Sequence, residues 1–229
     1  MAALRTVCQR RRSFQSLALL GEADMEQRLI TKKYESQLAK EFADLHSIRR
    51  DLNKTIEMLN LLAPEFEKPK EQQNSVLIEG LWSAGLVRYC RCYAEGKRTG
   101  LSTDIFSGLP GDPVGVHNWI KGMRDKLIAH SVNPFEECKT IISIDESDSP
   151  KTWGIGFMDV SYGHPDKEGM ANIVGLCVVL RDKIKEQCEV LQKRLQGEVN
   201  TLSSEQLIEL QDYQFTAPCS ESAGVARQS

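Results

Sequence analysis

Between Met25 and Ala63 apolar residues recur mostly at steps of three and four: Leu29, Ile30, Tyr34, Leu38, Phe42, Leu45, Ile48, Leu52, Ile56, Leu59 and Leu62. That is the period of one helix face. The opposite face is charged, with Lys32, Lys33, Glu41, Arg49, Arg50 and Lys54. Pro64 ends the pattern, and Glu65 to Lys70, containing Pro69, reads as a turn. At about 1.5 Å per residue such a helix would exceed roughly 50 Å, so its first turns are expected to fray or to pack on a partner.

A second helix is predicted over Ser75 to Glu95, apolar around most of its surface and carrying the small residues Gly80, Ala84 and Gly85. Such a helix is a central one, or one buried partly by a second subunit. Gly96 stops it, and Gly100 to Gly111 is a loop. Asp112-Pro113 then supplies an N-cap acid with proline at the first helical position. The third helix runs from about Val114 to Ser131, with a stripe of Val116, Ile120, Met123 and Leu127, and Asn133-Pro134 closes it.

The period then changes to two. Thr140 to Asp145 and Thr152 to Ser161 are rich in β-branched and aromatic residues, and Glu146 to Lys151 between them is turn-forming or charged. This is a β-hairpin. Because an isolated hairpin is marginal in water, its apolar face is expected to lie on the helices. A last long helix follows Pro165, with Met170, Ile173, Cys177, Leu180, Ile184, Cys188, Leu191 and Leu195 on one stripe and Gly197 as its C-cap residue. Ser203 to Gln206 has the capping-box pattern for a short helix over about 204–213, and the tail beyond it is small and polar. The fold class is therefore mainly α: an up-and-down four-helix bundle with a β-hairpin between the third and fourth helices. The domain spans 25–199, after a leader of residues 1–24 and before a short helix and disordered tail at 200–229.

Composition narrows the function classes. The 229 residues carry a net charge of −3, with 41% hydrophobic and 27% charged residues, as in a globular chain without overall affinity for polyanions. No apolar run reaches the roughly 18 to 20 residues that cross a bilayer, so no membrane partner is expected. Seven cysteines lie scattered without a Cys-x-x-Cys pair, which suits small buried hydrophobes in a reducing, cytoplasmic setting rather than a metal site. The leader holds Arg5, Arg10, Arg11 and Arg12 and no acid before Glu22. That is the composition of an organellar transit peptide, or of an upstream extension preceding a start at Met25. No phosphate-binding glycine loop, serine-nucleophile elbow or His-Glu metal motif is present.

Chemistry is concentrated in the third helix, at Arg124, Asp125 and His130. On one ideal α-helix Arg124 and His130 lie about 9 Å apart along the axis and about 120° apart around it, so they meet only in a groove or across a two-fold axis. From the residues alone, His130 reads first as a helix-terminal cap and Arg124–Asp125 as a solvated surface pair.

The stretch RDKLIAHS, with Asn133-Pro134 after it, resembles the signature of the HEPN superfamily, and in detail its abortive-infection type. In that family an arginine, a polar residue and a histidine stand near a helix end, as Arg124, Asp125 and His130 do here. The resemblance implies a HEPN-like helical bundle and a metal-independent RNA endonuclease of toxin or antiviral-defence type, without a cofactor. It implies a homodimer whose adjacent motif helices bring two Arg124 and two His130 into one cleft, with a cognate antitoxin or other regulatory protein as a further partner. Histidine serves as base or acid near neutrality, arginine holds phosphate oxygens, and Asp125 orients one of them. Lys121, Lys126 and Ser131 would contact the RNA, with Arg88 and Arg91 as further cations. A toxin subgroup carries a modifiable tyrosine two residues after the histidine; here that residue is Val132, so that regulation is not expected. Some members bind RNA or a nucleotide without cleaving, and a dimerising sensor or scaffold is the alternative.

Overall fold

Ser36 opens the first helix. In a computed structural model describing residues 30–94, 96–128, 136–147, 149, 151–161 and 163–214, the Ser36 hydroxyl accepts from the Ala39 amide at 3.1 Å, and α1 runs from Gln37 to Asn60. A short α2 (Ala63–Phe66) carries Pro64 in its first turn. Asn74 caps α3 (Ser75–Arg91), and Asp112 caps α4 (Pro113–Met123), which passes directly into a π-helical turn, Arg124–Ile128. Strands β1 (Glu136–Ile144) and β2 (Thr152–Ser161) form one antiparallel pair, followed by α5 (Lys167–Asn200) and α6 (Ser204–Glu209). The protein is thus mainly helical with a small two-stranded hairpin, as the periodicity implies.

The chain divides into two compact units, residues 36–199 and the segments flanking them. In the larger unit the helices share one core. Ile48, Leu52, Ile56 and Leu59 of α1, Ile78, Trp82, Leu86 and Tyr89 of α3, and Ile120 and Met123 of α4 are buried with Met170, Ile173, Cys177, Leu180, Ile184 and Cys188 of α5. Burying each large aliphatic side chain contributes on the order of 1.5–3 kcal/mol. α1 and α3 approach closely where α3 has no side chain: a Cβ on Gly85 would stand 3.0 Å from Leu59 Cδ2. In the flanking unit Lys33 N–H donates to Gln211 O (2.7 Å), Tyr213 N–H donates to Thr31 O (2.9 Å), and Lys32 pairs with Asp212. α6 begins with the expected capping box between Ser203 and Gln206.

Several sequence expectations are corrected. Helix α1 begins at Gln37, not near Met25: the backbone of residues 31–33 pairs with 211–213, and Ser36 then starts the helix. Residues 1–29 lie outside the described residues. Pro64 opens a short helix instead of a turn, since proline suits a first helical turn. α3 is buried on one face only, with Val76, Leu77 and Val87 exposed. Gly197 does not cap α5, which continues to Asn200, and α6 stops at Glu209, short of Tyr213. The hairpin's apolar residues do not lie on the helices: Trp153, Ile155 and Phe157 keep three-quarters or so of their surface exposed, at 81, 75 and 74%.

One buried charge ties α1 to α3. Asp51 has no exposed surface, and its carboxylate accepts from Arg88 (2.8 Å) and Arg98 (3.1 Å), with Arg91 Nε at 3.6 Å. Arg98 also donates to Ser47 Oγ and to Arg91 O, holding the chain beyond α3 on α1. Nearby, the buried Asp44 accepts from the Thr99 amide at 3.0 Å. Burial alone would push the Asp51 carboxyl up; the hydrogen bonds from Arg88 and Arg98 and the charge of Arg91 outweigh it and hold the pKa below its ordinary value. A carboxyl lowered on folding adds stability above its unfolded pKa, about 3.9, and loses it as pH falls through the folded value. Asp51→Ala is expected to cost about 3 kcal/mol, the low end for breaking a buried ion pair because Arg88 and Arg91 reach solvent. Urea unfolding across a pH series checks this, with the wild type losing below about pH 4 an increment that the variant lacks.

Candidate functional site

The residues singled out by sequence sit where α4 changes its winding. Asp112 accepts from the Gly115 amide (2.8 Å), Pro113 takes the first helical position, and Ile120 and Met123 turn into the core. Arg124 N–H still donates back to Ile120 O and Lys121 O, and from Arg124 to Ile128 the turn is π-helical. Wider i→i+5 turns are rare and recur at functional sites. The segment leaving Arg124 is thus not α-helical as far as Ile128, and His130, the far end of the expected separation, lies outside the described residues.

In the π-helical turn Arg124 Nη1 donates to Asp125 Oδ1 at 2.7 Å, with the two side chains 39 and 50% exposed. The same neighbour pairing occurs on the regular helix α5, where Arg181 Nε donates to Asp182 Oδ1 at 2.8 Å, so the contact does not depend on the wider turn. An ion pair this exposed adds little stability; its effect is to steer the guanidinium. Arg124 also meets the buried thiol of Cys90 on α3, whose pKa burial pushes up while the Arg124 charge and hydrogen bond pull it down. Lys121 and Lys126 are exposed. Arg124 and Asp125 are thus brought together, and Lys121 and Lys126 flank them in sequence. His130 and Ser131, with Asn133 and Pro134, lie outside the described residues.

Arg88 and Arg91, expected as further cleft cations, are drawn to Asp51 instead. Two surface grooves, of about 640 and 410 Å3, are lined elsewhere. The larger involves Asp44, Thr99, Lys183 and Glu186; the smaller, Leu109, Pro113, Val116 and Leu176. Among the described residues, no group of three or more His, Cys, Asp or Glu side chains is placed to hold a metal ion.

No protein-family model matches this chain, nor does any curated protein or solved structure. The site must be read from its residues.

Sequence reasoning missed His117, seven residues before Arg124. Its ring is 2% exposed, with Nδ1 3.0 Å from the Tyr89 hydroxyl and its centroid 4.2 Å from Tyr93 and 5.3 Å from Phe106. The spacing of four between Tyr89 and Tyr93 was a visible signal, but nothing local ties either to His117. Burial, then the charge of Lys121, lowers the His117 pKa, and the phenols of Tyr89 and Tyr93 are pushed up by burial. The neutral imidazole wedges the start of α4 between α3 and the 103–106 turn, which fixes the helix carrying Arg124.

Because the His117 pKa falls on folding, its stability contribution is complete above about pH 6.5 and is lost as pH drops toward the folded value. His117→Phe is expected to cost about 1–3 kcal/mol at pH 7.5 by orphaning the Tyr89 hydroxyl. It should also flatten the decline in Tm below pH 6.5, leaving the share due to His46, whose pKa is lowered by burial and by Arg49 and Arg50. Thermal unfolding by circular dichroism between pH 7.5 and 5 measures both effects.

Proposed function

We propose that this chain is a metal-independent RNA endonuclease of the HEPN kind, of toxin or antiviral-defence type. Its helices form the four-helix bundle of that family, and two copies join their motif helices into one cleft. The observation that carries the reading is the Arg124–Asp125 pair on the π-helical turn, a guanidinium steered by its neighbour and left partly in solvent. Arg88 and Arg98 are held by a buried carboxylate, whereas Arg124 pairs with an exposed one and can release it to a phosphate.

In the proposed reaction the RNA 2′-hydroxyl attacks the adjacent phosphate. One His130 takes the hydroxyl proton, and the partner copy's equivalent histidine protonates the departing 5′-oxygen. Arg124 holds two phosphate oxygens in its planar fork and offsets the charge that builds on them. Asp125 positions Arg124, and Lys121, Lys126 and Ser131 contact the strand. The products are a 2′,3′-cyclic phosphate and a free 5′-hydroxyl. The same pair favours a second reading: Asp125 neutralises Arg124, as suits a sensor or scaffold that binds a nucleotide or protein without cleaving.

Purified chain incubated with RNA in EDTA is expected to yield cyclic-phosphate ends. Arg124→Ala and His130→Ala should each slow cleavage by roughly a hundredfold or more at unchanged helical content. Arg124→Lys should recover only part of the rate, because an ammonium lacks the two-oxygen fork. A wild-type chain that leaves every RNA intact while binding it would establish the non-cleaving alternative.

A further inference from the structure

The hairpin carries an apolar face that the described residues of its own chain leave open. The pairing sets Ile142 opposite Ile155, Thr140 opposite Phe157 and Cys138 opposite Asp159, with an irregularity at Ser143/Ile144 beside Trp153. By strand alternation Thr140, Ile142 and Ile144 share a face with Trp153, Ile155 and Phe157. Ile142 is 61% exposed, Ile144 62%, Trp153 81%, Ile155 75% and Phe157 74%. The other face is less apolar, with Ile141 and Met158 set among Gly154, Gly156, Ser143 and Lys139. A lone two-stranded sheet of this kind is marginal in water, and a contiguous apolar patch marks an interaction surface.

We propose that this face is a homodimer interface, on which the hairpin of a second copy of the chain packs face to face about a two-fold axis. Area argues for that occupant. With roughly 150–250 Å2 per aromatic side chain and somewhat less per isoleucine, five residues so exposed offer on the order of 600 Å2 per chain. Two such faces together bury about 1,200 Å2, the lower end of what stable interfaces need. The centre of the face carries no ionised side chain, with Ile142 opposite Ile155 and Thr140 opposite Phe157. Acids stand only towards its ends, Asp145 beside Trp153 at the tip and Asp159 opposite Cys138 near the base. A patch with an uncharged centre can meet its own copy, as a two-fold contact requires.

The test uses the full chain. Wild type is expected to sediment as a dimer at micromolar concentration, and its tryptophan emission should shift to longer wavelength on dilution as Trp153 returns to water. The triple variant Trp153→Thr, Ile155→Thr and Phe157→Thr keeps strand-forming residues. Its dimer dissociation constant should rise by roughly a hundredfold or more, with helical circular dichroism unchanged. Met158→Thr, on the opposite face, should leave the dimer intact. A monomeric wild type overturns the proposal, as does a triple variant that remains dimeric or a Met158→Thr variant that dissociates equally. The proposal does not rest on RNA cleavage. A folded, monomeric triple variant that cleaves RNA at the wild-type rate upholds the hairpin interface and removes the composite-site mechanism. A dimeric triple variant that loses nothing does the reverse.

Discussion

A carboxylate stripped of water must be met by cations or be neutralised, and the larger unit is arranged around one such carboxylate, that of Asp51. Its three guanidinium partners come from two places in the chain: Arg88 and Arg91 from α3, and Arg98 from the segment beyond it. Satisfying Asp51 therefore fixes how α3 lies on α1 and where the chain goes when α3 ends. It also fixes the other side of the same helical end, where Tyr89 and Cys90 receive His117 and Arg124 of α4. Charges gather on one side of the last turns of α3, and the candidate site hangs from the other.

The two attachments of α4 differ in kind. His117 is buried, neutral and enclosed by rings, so the first half of the helix is held by packing and one hydrogen bond. Arg124 is partly in water and held by an exposed acid and a thiol. Between them the winding changes from α to π. The change of winding falls at the residues with the most chemistry to offer. A rigid beginning and a solvent-facing end suit a helix that positions a cation for a ligand.

How much was legible in the sequence depended on how local the cause was. The α5 stripe is local, and its positions from Met170 to Leu191 are all buried. The Asp112-Pro113 start and the Ser203–Gln206 box are local too, since a cap and its amide lie three residues apart. The start of α1 was not legible, because residues 31–33 are held by strand-like pairing with a segment about 180 residues later. Apolar spacing at Ile30 and Tyr34 continued a helix that the backbone does not form. Nothing local marks Asp51, since its burial needs arginines 37, 40 and 47 residues away. The π-helical turn has no side-chain period of its own. Arg124 and Asp125 could be chosen from the sequence, but their direct contact could not.

The hairpin shows what a binary pattern does and does not encode. Alternation of Trp153, Ile155 and Phe157 with Gly154, Gly156 and Met158 correctly predicted a strand with one more apolar face. The further step, that the helices of the same chain must cover it, used an assumption the pattern does not contain. Water is excluded equally well by a neighbouring helix or by a second molecule, and the free-energy gain per unit area is the same. What separates the two cases is whether the rest of the chain has apolar surface left to offer. In the larger unit the stripes of α1, α4 and α5 are already turned into one core. The hairpin's reverse face is the less apolar one, with Ile141 and Met158 set among Gly154, Gly156, Ser143 and Lys139, so the larger area to bury lies at Trp153, Ile155 and Phe157.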